Sequence, residues 1–198
     1  MKTVGIMNKW FTGDWHLDHQ SKKDPKKGVV HYCDRPFASI EENNDAIINN
    51  TNELVKPNDF LYILGDVCFS YPQSFLDSIN CKNIYILFGN HDRWIKYLKE
   101  HKKVKKAEYF LVIKIGNMPT SLFHYAMRVW PHSHYNGWHL YGHSHGRLPS
   151  LGKSYDVGVD NNNYKPIHED TIKQIMSKLP DNPGYDRRRG NHGHDDDA

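Results

Sequence analysis

The chain has 198 residues, 23.2 kDa and a formal net charge of +3. That is enough for one domain with a real core, while the charge is too small to argue for nucleic-acid binding by itself. No apolar stretch approaches the ~20 residues of a membrane helix. The three cysteines, Cys33, Cys68 and Cys81, lack Cys-x-x-Cys spacing, which argues against a disulfide scaffold or a thiolate zinc site and suits a reducing cytoplasm. Met1–Met7 carries one lysine and a very short apolar patch, unlike a signal peptide. The unusual count is 14 histidines, which calls for sorting them one by one.

Taken in order, Lys9-Trp10-Phe11-Thr12 reads as a strand followed by Gly13-Asp14-Trp15-His16. In extended chain residues i and i+2 face one side, so Asp14 and His16 can reach a common point. Lys22 to Gly28 reads as an exposed, lysine-rich loop. Ser39-Ile40-Glu41-Glu42 is a capping-box pattern that opens a helix ended by Pro57. Phe60-Leu61-Tyr62-Ile63-Leu64 is a short continuous apolar run, as expected of a strand buried on both faces, and it ends at Gly65-Asp66.

A short helix is predicted to start near Pro72 and carry Phe75, Leu76 and Ile79. Asn83 to Phe88 is a second buried-strand run, ending at Gly89-Asn90-His91-Asp92. Arg93 to His101 looks helical, and Lys102-Lys103-Val104-Lys105-Lys106 reads as solvated surface. Glu108 to Ile115 and Met118 to His124 form a predicted hairpin, with Gly116 permitting a type II′ turn before Asn117. Trp138 to Tyr141 is another strand, ending at Gly142-His143-Ser144-His145-Gly146. Ser154 to Val159 reads as a strand and Glu169 to Leu179 as a closing helix. The domain is expected to span residues 1–180, with 181–198 a disordered polar tail.

Five strand ends therefore carry potential ligands: Asp14 with His16, Asp66, Asn90, His124, and His143 with His145. In sheets flanked by helices, ligands bind beyond the carboxyl ends of strands, so these groups should converge. Two carboxylates, one amide and four imidazoles exceed the four ligands of one tetrahedral zinc. With one carboxylate shared, they fit two divalent ions with positions left for water and substrate. Oxygen and imidazole donors favour Mn²⁺, with Fe, Zn²⁺ or Ni²⁺ as substitutes, over Ca²⁺.

In this spacing, Asp14-x-His16, Gly65-Asp66, Gly89-Asn90-His91-Asp92, His124 and Gly142-His143-x-His145 resemble the calcineurin-like metallophosphoesterase superfamily, from about residue 8 to about residue 168. Arg35-Pro36-Phe37, His124-Tyr125-x-Met127-Arg128-x-Trp130 and Trp138 to Leu148 look like secondary motifs of its small phage and bacterial members. The resemblance implies an α/β fold, a four-layer αββα sandwich of two mixed sheets flanked by helices. It implies that Asp14, His16 and His145 hold one ion, that Asn90, His124 and His143 hold the other, and that Asp66 bridges. A hydroxide between the ions would be the nucleophile, and His91 the general acid.

The chain departs from the small-enzyme pattern where Asp18 replaces a glycine before His19. It departs from the phosphoprotein-phosphatase branch at Val67-Cys68-Phe69 and at Asp92. His19 is read as a contact to substrate or ligands, or as structural. Arg35 and Arg128 are read as phosphate forks or as structural ion-pair partners. His31, His101, His132, His134, His139 and His168 are read as packed or solvated, and His192 and His194 as part of a solvated tail. The expected function is cytoplasmic hydrolysis of phosphate esters, phosphodiesters of nucleotides or nucleic acid before monoesters. The rival from another class is a non-catalytic scaffold. Neither a membrane nor an obligate protein partner is expected.

Overall fold

The computed structural model describes residues 7–185. Two mixed sheets with helices make up the fold, in agreement with the expected α/β class. The first sheet runs β4-β3-β2-β1-β9, from β1 (Lys9–Thr12), β2 (Phe60–Leu64), β3 (Asn83–Leu87), β4 (Val104–Glu108) and β9 (Ile167–His168). Its first four strands are parallel, and β9 pairs antiparallel with β1. The second sheet runs β5-β6-β7-β8, from β5 (Phe110–Ile115), β6 (Met118–Phe123), β7 (Trp138–Tyr141) and β8 (Ser154–Asp156). There β5 and β6 form the predicted hairpin, with Gly116 at φ +59°, while β6, β7 and β8 are parallel.

Side chains alternate across the central strands, as period-2 geometry demands. Leu61 and Ile63 of β2 and Ile84 and Ile86 of β3 face the helices α2 (Ile40–Leu54), α3 (Gln73–Ser78) and α4 (Ile95–Glu100). Tyr62, Leu64 and Leu87 face the other way, onto Leu111, Leu122 and Leu140 of the second sheet. The closing helix α5 (Glu169–Lys178) inserts Ile172 and Met176 into this inter-sheet core. A further single turn, α1 (Val29–Tyr32), and the two-residue β9 carry no periodic signal and were not anticipated. As predicted, Ser39 caps α2 by accepting from the Glu42 N–H.

The lysine run after α4 departs from its reading as plain solvated surface. Val104–Glu108 pairs with β3 as an edge strand, where lysines discourage further pairing. Lys103 Nζ donates to the carbonyls of Leu76, Asp77 and Ile79 at 3.0, 2.7 and 2.6 Å, which caps the C-terminus of α3 and complements its dipole. The expected tail boundary also shifts. Asn182 is buried and bonds to Ser133 O, Gly137 O and Lys153 N, because its amide satisfies main-chain groups that the loop around Tyr135 leaves open. The rest of the expected tail, with His192 and His194, and Met1–Ile6 lie outside the described residues. Among the described residues no helix is long and apolar enough to cross a membrane.

The outer face of β7 is closed by the segment from Tyr125 to Gly137, and His139 anchors it. His139 is fully buried; its Nδ1 lies 3.1 Å from Ser121 O, and its Nε2 accepts from Met127 N at 3.1 Å. Burial holds its pKa down at about 4, against the pull of the carbonyls of Ser121 and Tyr125. A depressed histidine pKa gives stability that is complete above its unfolded value near 6.5 and is lost as the pH falls toward 4. Up to about 3 kcal/mol is at stake over that window. Urea denaturation at pH 7 and pH 4.5 should therefore show a larger acid loss for wild type than for His139→Gln; equal losses would contradict the assignment.

Candidate metal centre

The parallel register brings the ligand loops together. Thr12 pairs with Ile63 and Leu64 with Leu87, so the chain leaves β1, β2 and β3 side by side at Asp14, Asp66 and Asn90. In the second sheet Leu122 pairs with Leu140, and β6 and β7 release His124 and His143 at the same edge. Gly142 N to His124 O at 2.9 Å and Asp14 N to Gly65 O at 3.0 Å tie neighbouring exits to each other.

All seven predicted ligands meet there. Asp14, His16 and His145 form one group, and Asp66, His124 and His143 another, each with ligand atoms within 4.8 Å of one another. Asp66 lies between them, its Oδ2 3.4 Å from His16 Nε2 on one side and 3.4 Å from His124 Nε2 on the other. Asn90 Oδ1 joins the second group at 3.1 Å from His124 Nε2. His124 Nδ1 donates to Leu64 O at 2.8 Å, so its Nε2 lone pair is left to face Asp66 and Asn90, the tautomer a metal requires.

The route to this convergence differs from the extended geometry expected for Asp14 and His16. Asp14 has φ 55° and His16 φ 50°, and Asp66, His143 and His145 are also left-handed. Left-handed backbone at a side-chain-bearing residue costs about 1–3 kcal/mol and collects at functional sites. The glycines before the ligands allow the tight approach. A Cβ at Gly65, itself at φ +88°, would collide with the His124 ring, and one at Gly89 with the Asp66 carboxylate.

The electrostatics match a cation. Asp14 is fully buried and its pKa is pushed up to about 7 by desolvation, although His145 and His124 and the His143 N–H pull it down. His16 is buried with neither ring nitrogen hydrogen-bonded, and burial keeps it neutral, well below the usual imidazole value. Burial works against the Asp66 carboxylate too, but His124, His16 and the His91 N–H hold it down at about 2. The same carboxylates carry His124 above its ordinary pKa, and Asp160, Cys33 and Asp14 carry His145 up to about 10, in each case against burial. In the metal-free protein a proton on His145 thus occupies a place of positive charge. An unpartnered buried imidazole beside converging carboxylates fits divalent ions.

The remaining predicted residues separate. His91 lies at the rim, its N–H on Asp66 Oδ1 at 2.9 Å and its ring 5.4 Å from His16. His19 stacks on Phe69 at 3.8 Å, has its ring 5.9 Å from His91, and is held down at about 4 chiefly by burial. Asp18 accepts from Asn44 Nδ2 and from Ser70 Oγ, bracing this loop. Arg35 is no free phosphate fork: its side chain is fully buried and committed to internal partners, because Asp160 closes over it. Arg128 is exposed and lines a cavity of about 200 Å³, none of whose lining residues is a candidate ligand.

Three aspartates that are not predicted ligands organise the loops. Asp92 accepts from the N–H groups of Asp66, Val67 and Gly89, each at 2.8 Å, and so orients both of these loops. Asp156 accepts from Ser144 Oγ, Gly146 N and Gly158 N, and Asp160 from His145 Nδ1. The last two escaped the sequence reading; Asp156-x-Gly158-x-Asp160 at a strand end was the available signal. In titration calorimetry with buffers of different ionisation heat, Mn²⁺ binding at pH 7 should release at least about one proton as His145 gives its own up. Binding without proton release would contradict this electrostatic picture.

Known proteins resemble this chain in sequence and in fold. Residues 7–196 match the Calcineurin-like phosphoesterase family profile. An uncharacterized protein of Methanocaldococcus jannaschii is 29% identical over 185 residues, 85% of this chain and 91% of that one. The crystal structure of a protein of unknown function from Aquifex aeolicus superposes with a TM-score of 0.66 at 20% identity, covering 86% of this chain and 100% of that chain.

Proposed function

The chain belongs to the calcineurin-like phosphoesterase family, and on that premise we propose that it is a dinuclear metal-dependent hydrolase of phosphodiesters, those of nucleotides or nucleic acid. The observation that carries this reading is Asp66, whose Oδ2 lies 3.4 Å from an imidazole nitrogen of each ligand group. A carboxylate so placed can serve two ions at once. Asp14, His16 and His145 would hold one ion and Asn90, His124 and His143 the other, Mn²⁺ being the expected metal. Divalent ions there supply Lewis-acid polarisation of a phosphoryl oxygen and a water acidic enough to attack at neutral pH.

The chain's own residues do the rest. Asn90 contributes a neutral oxygen, which limits the negative charge gathered around the second ion. His91 is outside both ligand groups, and its ring stands beside His16, so it is the group free to protonate the leaving oxygen. Its N–H to Asp66 Oδ1 fixes it relative to the bridging carboxylate. Asn90 and His143 are exposed, which leaves the centre open to the long or bulky groups on both sides of a diester. The free thiols of Cys33, Cys68 and Cys81 suit work in a reducing cytoplasm.

With Mn²⁺ the purified protein should hydrolyse an aryl phosphodiester faster than the matching monoester. Asp66→Asn and His91→Ala should each lower kcat by ~10²-fold or more. A preference for the monoester would overturn the diester assignment. Inactivity of wild type with Mn²⁺, Ni²⁺, Co²⁺ and Zn²⁺ alike would overturn the enzymatic one and favour a scaffold.

A further inference from the structure

Arg35 has no exposed side-chain surface, yet all five of its N–H groups can be accounted for. Nε and Nη2 grip the two oxygens of Asp160 at 2.8 Å each. Nη1 donates to Trp15 O at 3.0 Å and to Asn43 Oδ1 at 2.9 Å, and Nη2 also to Asp14 O at 2.7 Å. Asp160 Oδ2 then accepts from His145 Nδ1 at 2.6 Å, with Cys33 Sγ 3.4 Å from the same nitrogen. The His145 ring sits 5.1 Å from that of His16. With Nδ1 engaged, Nε2 is the nitrogen left for an ion.

We propose that Arg35 and Asp160 are a buried positioning pair. One guanidinium fixes the main chain at Asp14 and Trp15 and, through Asp160, sets the tautomer and orientation of His145, so that ligands from opposite ends of the chain present themselves to one ion. This rests on the dinuclear reading above. Stability alone accounts poorly for the arrangement, because a buried ion pair seldom outperforms well-packed apolar residues of the same volume. Partners that orient a ligating histidine, by contrast, typically govern metal affinity by 10–100-fold. Asp160 also sits in the helical turn Val159–Asn161, pinned to the Gly13 loop by Val159 N to Gly13 O at 3.1 Å. Its carboxylate is therefore fixed relative to Asp14 before any ion arrives.

An amide cannot replace this carboxylate. Both oxygens of Asp160 face donors, so Asp160→Asn must turn its NH₂ toward either Arg35 or His145. Arg35→Lys keeps a balancing charge but cannot span Asp160 and the Asp14 carbonyl together. Calorimetric titration of the full-length chain with Mn²⁺ should show two equivalents for wild type. For both variants one equivalent should weaken by ~10–100-fold while the other is retained within about threefold. With an aryl phosphodiester, kcat should fall by a similar factor and KM should move little. The double variant should be no worse than the poorer single one, as expected for residues acting as one unit.

Two Mn²⁺ equivalents of wild-type affinity in either folded variant would overturn the pairing and leave the dinuclear reading intact. Additive losses in the double variant would overturn it as well. Failure of wild type to bind Mn²⁺ would overturn both. Should Asp160→Asn not fold, Arg35→Lys decides alone on the same readouts.

Discussion

Everything in this protein is arranged around an electrostatic debt: carboxylates and imidazole lone pairs are gathered in a buried spot with too few proton donors among them. Asp14 and Asp66 lie within a few ångströms of His16, His124, His143 and His145, and neither ring nitrogen of His16 has a hydrogen bond. Such a cluster is costly in a low-dielectric interior unless positive charge enters it. A proton on His145 meets part of that need, and divalent ions would meet the remainder. The left-handed backbone at five of the seven ligands adds strain in the same place. Strain concentrated at a ligand set is what a pre-organised site looks like before its ion is counted.

The scaffold must therefore be stiff, and it is stiffened in two tiers. The parallel strands aim the loops from below, while Asp92, Asp156 and Asp160 lock three of the loops from within. Asp92 ties the turn that carries Asp66 to the turn that carries Asn90. Asp156 binds the turn that carries His143 and His145. Asp160, backed by Arg35, fixes the His145 ring. Each lock uses a carboxylate to collect N–H or O–H groups of a loop that carries ligands. The glycines beside the ligands serve the same end by removing the Cβ atoms that would keep the loops apart.

Much of this was legible in the sequence because it is written locally. Alternating and continuous apolar runs marked β1, β2, β3, β6 and β7, and glycine followed by a ligand marked four of the five exits. Asp14 and His16 converge as foreseen but by left-handed turns, since spacing reports proximity and not dihedral angle. For Arg35 the ion-pair alternative is the one the structure realises, but its partner was not legible: Asp160 lies far away in sequence, and the local pattern of Asp156 and Asp160 names no partner. An arginine in a motif looks the same whether it faces phosphate or the interior. Lys103 and Asn182 escaped for the related reason that capping a distant helix or loop leaves no periodic trace.

The central claim is that two ions share Asp66. Crystals soaked in Mn²⁺ and measured at wavelengths on either side of the manganese absorption edge test it directly. Two anomalous peaks about 3.5–4 Å apart are expected, one reached by Asp14, His16 and His145, the other by Asn90, His124 and His143, with Asp66 touching both. A single peak, or peaks that leave Asp66 unshared, would contradict the account.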